Sequence, residues 1–157
     1  MGLFKIERRQ VIPVSLTRAW GFFSDPGNLS AMTPSDLHLV VEGNPPAMYE
    51  GMILTYRIRP VAGIAVRWVT EITHVREPHF FVDEQRMGPY RFWHHQHHFR
   101  EVQDGVEVED IVHYRIPWYP LSIPIHSLFI RPRLRGIFDY RSEKLRQIFP
   151  SVPVEEP

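Results

Sequence analysis

The chain has 157 residues, 43% of them apolar and 13% aromatic, and balances 18 Lys+Arg against 18 Asp+Glu. That composition suits one globular domain and argues against a disordered chain, while the zero net charge gives no electrostatic reason to expect nucleic acid or an anionic membrane. The absence of Cys excludes disulfides, thiolate metal ligands and thiol nucleophiles.

Leu3 to Ile12 alternates roughly between apolar and charged residues and predicts a first strand, ended by Pro13. Nothing at this end has the apolar run of a signal peptide, so cytoplasm is the expected compartment. Ser15 can cap a helix in which Leu16, Ala19, Trp20 and Phe23 share a face. Trp20, Phe22 and Phe23 are read as helix–sheet packing. Asp25-Pro26-Gly27 breaks this helix, and a second short helical turn is expected over Pro26 to Met32. Leu37, Leu39 and Val41 alternate and predict a second strand. Gly43-Asn44-Pro45-Pro46 is a loop.

Five further strands follow: Met52 to Arg59, Ala65 to Arg76, Phe80 to Arg86, and a hairpin of Arg91 to Val102 with Val106 to Arg115. The Asp104-Gly105 pair marks the hairpin turn. Trp118 to Ile130 is apolar and broken by Pro120 and Pro124. It is read as a packed connection, with a mobile cavity lid or a membrane-touching edge as alternatives. From Pro132 to Phe149 apolar residues recur at a spacing of 3–4, which predicts an amphipathic helix. Its polar side carries Arg133, Arg135, Lys144 and Arg146. Arg141 falls near the apolar stripe, where it can pair with an acid such as Asp139 or enter a cavity mouth. Residues 1–150 are expected to form one domain and residues 151–157 a flexible tail. No segment is apolar enough for stable membrane insertion.

The fold class is therefore α+β. An antiparallel sheet must cover its apolar face, and the last helix is the one element long enough to do so. A sheet curled round one helix leaves a gap wherever side chains do not fill it, and such gaps hold ligands.

The stretch "VIPVSLTRAWGFFSDPGNLSAMTP" at 11–34 resembles the opening of SRPBCC proteins, the START and Bet v 1-like superfamily. The stretch at 81–99 is similar to a group of small bacterial SRPBCC proteins. It carries Phe81, Asp83, Gln85; then Gly88, Pro89, Tyr90; then Trp93, His95, His97, Phe99. "VEVEDIVHYRIP" and "RGIFDYRSEKL" resemble that group's last hairpin strand and terminal helix. The resemblance spans residues 3 to 149. It implies a helix-grip fold, in which a curved antiparallel sheet wraps a long C-terminal helix and two short helices follow the first strand. The superfamily includes lipid carriers, hormone receptors, polyketide cyclases and dehydratases, so the resemblance alone does not choose a chemistry.

Strand alternation places Trp93, His95, His97 and Phe99 on one face. The matching faces of neighbouring strands carry Phe81, Asp83 and Gln85; Val108, Asp110, Val112 and Tyr114; and Val66, Trp68, Thr70 and Ile72. Phe138 lies on the helix stripe above them. His94 and His98 fall on the opposite, solvent-facing side. The expected ligand-contacting set is Trp68, Thr70, Phe81, Asp83, Gln85, Trp93, His95, His97, Phe99, Asp110, Tyr114 and Phe138. Its polar members must satisfy one another, hold water, or meet a ligand, because an unpaired buried polar group costs about 1–3 kcal/mol. His95 and His97 with Asp83 or Asp110 have the donor types of a zinc or iron site, but His-x-His on a strand is a weak signal, so no metal and no cofactor is expected.

The principal expectation is non-covalent binding of a small hydrophobic or amphipathic molecule, of lipid, isoprenoid or polyketide-like type. One alternative is a cyclase or dehydratase-like enzyme with His95, His97, Asp110 and Tyr114 as catalytic candidates. Another is a protein-interaction module with a filled cavity. No nucleotide-binding or nucleophile-elbow motif is present.

Overall fold

A computed structural model describes residues 2–60 and 63–150; the expected tail lies outside them. Seven antiparallel strands form one sheet in the order β1-β7-β6-β5-β4-β3-β2. The strands are β1 (Phe4–Ile12), β2 (Val40–Val41), β3 (Ile53–Ile58), β4 (Val66–Arg76), β5 (Phe80–Met87), β6 (Phe92–Val102) and β7 (Gly105–Arg115). The helices are α1 (Leu16–Phe23), the single turn α2 (Ile123–Ile125) and α3 (Arg131–Ile148), with a π-helical turn at His126–Ile130 between the last two. This is the helix-grip arrangement, a curved antiparallel sheet closed by a long C-terminal helix.

The Asp104-Gly105 turn forms as expected, and pairs Val102 with Gly105, His97 with Asp110 and Trp93 with Tyr114. Gly105 has φ +137°, a conformation that side chains disfavour. A Cβ there would also press into the carbonyl oxygen of Ile12 on β1. Gly105→Ala is therefore expected to cost at least about 2 kcal/mol in urea unfolding. A loss below about 0.5 kcal/mol would show that the turn relaxes freely.

Ser15 caps α1, its hydroxyl accepting from the Arg18 N–H at 3.3 Å. The helix buries Leu16, Ala19, Trp20 and Phe23. The Trp20 ring meets Phe81 and Phe99 edge-on at 6.0 and 5.9 Å. This packing closes one end of the sheet's inner face, together with Leu145 and Phe149. α3 covers the middle and other end, burying Leu134, Phe138 and Leu145. There Leu134 and Phe138 join Tyr56, Trp68, Trp93 and Tyr114 in a separate apolar cluster.

Two expectations are corrected. The second strand is limited to Val40–Val41. Leu37 instead ends a 3-10 turn (Ser35–Leu37), and His38 follows in the left-handed region at φ 45°, which breaks the alternation of Leu37, Leu39 and Val41. The segment 118–130 is not a packed connection. Trp118, Leu121 and Leu128 are 81%, 85% and 69% exposed.

Candidate functional site

The histidines lie two apart on β6 and so face the same side of the sheet. Register puts Asp83 of β5 directly opposite His95 and Asp110 of β7 directly opposite His97. Each imidazole then contacts both carboxylates. His95 has Nδ1 at 3.2 Å from Asp83 Oδ2 and Nε2 at 2.9 Å from Asp110 Oδ1. His97 has Nε2 at 2.8 Å from Asp83 Oδ2 and Nδ1 at 2.9 Å from Asp110 Oδ1. The four side chains close a circuit across three strands.

Only the Nε2 contacts are aligned as hydrogen bonds. An ionised carboxylate only accepts, so both Nε2 atoms donate. His97 Nδ1 is near Asp110 but has no aligned partner. Arg141 of α3 adds a guanidinium 3.4 Å from Asp110 Oδ1. It also lies over the Phe138 ring at 5.4 Å. Arg141 therefore pairs with Asp110, whereas Asp139 meets Arg8 of β1.

Burial is the largest single influence on Asp110 and opposes its charge, but Arg141 and the two imidazoles outweigh it and hold its pKa well below the usual value. Asp83 follows the same balance: burial raises, and His95 and His97 overcome it. Burial also opposes charge on His95, yet Asp83 and Asp110 together raise its pKa. The buried carboxylates thus have cationic or hydrogen-bonding partners in Arg141 and the imidazoles, as buried charges require.

In front of this circuit, between sheet and α3, is a cavity of ≈ 170 Å³. Its wall is mostly apolar, with Leu37, Leu54, Ile58, Ile72 and Leu134 among the contributors. Polar atoms enter it at few places. The Tyr56 and Thr70 hydroxyls pair at 3.2 Å, and burial, aided by the Asp83 charge, pushes the Tyr56 pKa up. The Trp68 indole N–H is buried and, among the described residues, has no hydrogen-bond partner. Asp83, His95, His97 and Arg141 reach the wall from the circuit.

Eight residues of the expected ligand set line this cavity: Trp68, Thr70, Phe81, Asp83, Trp93, His95, His97 and Phe138. Four lie off its wall. Gln85 is turned into the β5–β6 connection, where it donates to the Tyr90 carbonyl at 2.7 Å and accepts from the Tyr90 N–H at 3.2 Å. Phe99 is held between Trp20 and Phe23 of α1. Asp110 is buried beside the histidines, against Arg141. Tyr114 packs behind the lining residues Trp93 and Tyr90, its hydroxyl 2.8 Å from His126 Nε2. Of the catalytic candidates, His95, His97 and Asp110 are brought together and Tyr114 is not.

Sequence reasoning missed Tyr56, Leu54 and Ile58, although their alternation on β3 was a usable signal. It also missed Tyr90, which depends on how the β5–β6 connection folds back.

Asp83, His95 and His97 offer donor atoms within 4.8 Å of one another. Their donor types fit a divalent transition metal. To take one beside Asp83, His97 would have to give up the Nε2 proton it donates there, whereas His95 could ligate through Nδ1 and keep its Nε2 proton on Asp110.

Comparison with family models and with curated proteins gives no match. Solved structures do match in fold. Protein CV1439 from Chromobacterium violaceum has a TM-score of 0.71 at 10% identity, over 94% of this chain and 99% of that one. Ara h 8.0201 has a TM-score of 0.63 at 13% identity, over 93% and 99%. The di-domain ARO/CYC StfQ of the steffimycin biosynthetic pathway has a TM-score of 0.63 at 11% identity, over 93% of this chain and 52% of that one. At these identities the likeness is one of architecture: the chain shares the helix-grip fold of these structures.

Proposed function

We propose that the protein binds a small, predominantly apolar molecule in the cavity between sheet and α3, and that the polar atoms on the wall fix its orientation. The observation that carries this reading is a space of ≈ 170 Å³ with an apolar wall and an unpartnered Trp68 N–H. Apolar contact supplies affinity and a few placed polar groups supply direction. A buried donor left unpaired costs about 1–3 kcal/mol, so a ligand acceptor that reaches Trp68 removes that cost.

Size narrows the ligand. A cavity of about 150 Å³ holds benzene. The ≈ 170 Å³ here therefore suits a one-ring compound, or the ring-sized part of a lipid, isoprenoid or polyketide-like molecule. That such a fold occurs in the ARO/CYC protein StfQ is compatible with a cyclic ligand.

A second reading, cyclase or dehydratase-like catalysis, draws on the contact of Asp83, His95 and His97 with the cavity wall. In it, the His95 imidazolium serves as proton donor and Asp110 stabilises its charge. The first reading is favoured because both Nε2 protons are already donated to carboxylates.

The test is titration with p-cresol, followed by NMR amide shifts. Saturable shifts on β3, β4 and β6 are expected, and Leu54→Phe, which intrudes on the cavity, is expected to weaken binding about tenfold. Absence of saturable shifts on those strands for p-cresol, toluene and cyclohexanol alike would sink the reading.

A further inference from the structure

We propose that the segment from Trp118 to Phe129 docks the protein on an anionic membrane surface. This segment has an inverted pattern. Its inward positions are polar: Ser122 donates to the Pro117 carbonyl at 2.7 Å, and His126 contacts the Tyr114 hydroxyl and stacks on Phe4 at 3.7 Å. Its outward positions are apolar: Leu121, Ile125, Leu128 and Phe129 are 85%, 56%, 69% and 64% exposed. A helical segment that faces water has the opposite arrangement. The inner contacts hold the outer face in place, so this is a fixed apolar surface.

Charge identifies what covers it. From Ile111 to Phe138 the chain contains no Asp or Glu and four arginines, although the whole chain is neutral. Arg91 and Arg115 share a surface groove with Trp118. Arg131 and Arg135 are exposed one and two turns beyond Leu128, and among the described residues neither has an ion-pair partner; Arg133 pairs with Asp36. Apolar and aromatic side chains rimmed by arginine match the chemistry of a bilayer interface that carries anionic headgroups. A second copy fits less well, because a two-fold contact through this face would bring the arginines of both copies together.

The experiment is cosedimentation of the full chain with vesicles of phosphatidylcholine alone and of phosphatidylcholine with phosphatidylglycerol. Binding to the anionic vesicles is expected, weakened by salt. Trp118 is 81% exposed while Trp20, Trp68 and Trp93 are 7%, 6% and 9% exposed, so a blue shift of emission on binding reports Trp118 and should vanish in Trp118→Phe. Leu128→Ser combined with Phe129→Ser should reduce partitioning at least about tenfold while circular dichroism is unchanged. Arg131→Gln with Arg135→Gln should remove the preference for phosphatidylglycerol. The proposal is overturned if neither vesicle sediments the protein, or if the Leu128 and Phe129 changes instead abolish self-association in solution. None of these outcomes depends on what occupies the internal cavity.

Discussion

Replacing Asp110 by alanine lowers the free energy of unfolding at neutral pH by about 3–5 kcal/mol, the cost of breaking a buried charge pair from one side. Asp110 is the acceptor for the His95 Nε2 proton and the counter-charge of Arg141. Its loss leaves the part-buried Arg141 guanidinium without its carboxylate and the buried His95 imidazole facing only Asp83. Asp110→Asn, which keeps the volume but not the charge, should also be destabilising. Adding Arg141→Met to Asp110→Ala should recover part of the loss, because the unmatched cation is then gone. Urea unfolding of the parent, Asp110→Ala, Arg141→Met and the double variant gives the coupling, and a loss under about 1 kcal/mol for Asp110→Ala would contradict the electrostatic account.

The same circuit sets a pH window. The folded pKa values of Asp83 and Asp110 are depressed, so their contribution is complete above the ordinary value of 3.8 and is lost as pH falls through the folded values. The His95 pKa is raised, so its contribution is complete below the ordinary value of 6.5 and is lost as pH rises through the folded value. The circuit therefore stabilises most between those two ordinary values. Stability should decline on the alkaline side, and His95→Gln should flatten that decline.

Truncating Phe138 to alanine is expected to cost about 3–5 kcal/mol. The ring is only 4% exposed. It meets His95 edge-on at 5.8 Å and has Arg141 above it. One side already borders the ≈ 170 Å³ void, so collapse cannot refill the space and the void enlarges. The variant should consequently accept bulkier occupants: naphthalene should bind it about tenfold more tightly than it binds the parent. Unchanged naphthalene affinity together with a stability loss below about 1 kcal/mol would mean that the helix shifts to close the gap.

Much of this architecture was legible because it depends on local patterns. The 3–4 spacing of Leu134, Phe138 and Leu145 marks α3, the Asp104-Gly105 pair marks the turn, and alternation places Trp93, His95 and His97 on one face. What was not legible depends on tertiary contact. The Asp110–Arg141 pair joins residues 31 apart on different elements. Tyr114 shares its face with Asp110, but it packs on Phe4 and pairs with His126 instead of lining the cavity. Phe99 follows His97 in the alternation, yet it lies where α1 covers the sheet. The outward apolar residues near Leu121 and Leu128 resemble core residues in a list of amino acids. Only the placement of Ser122 and His126 beneath them reveals which side is out.

The sheet order has a consequence for how the chain acquires this shape. Among the described residues β1 is an edge strand that pairs with β7, with Phe4 aligned to Tyr114 and Ile12 to Val106. During synthesis the first strand leaves the ribosome long before anything exists for it to join, while β3 to β7 can zip together in order through short links. Closure of the first strand is a long-range event, carrying the entropic penalty of a loop of roughly a hundred residues. Such topologies fold slowly for their size. Refolding should accordingly show the β3–β7 amides gaining hydrogen-exchange protection before those of β1.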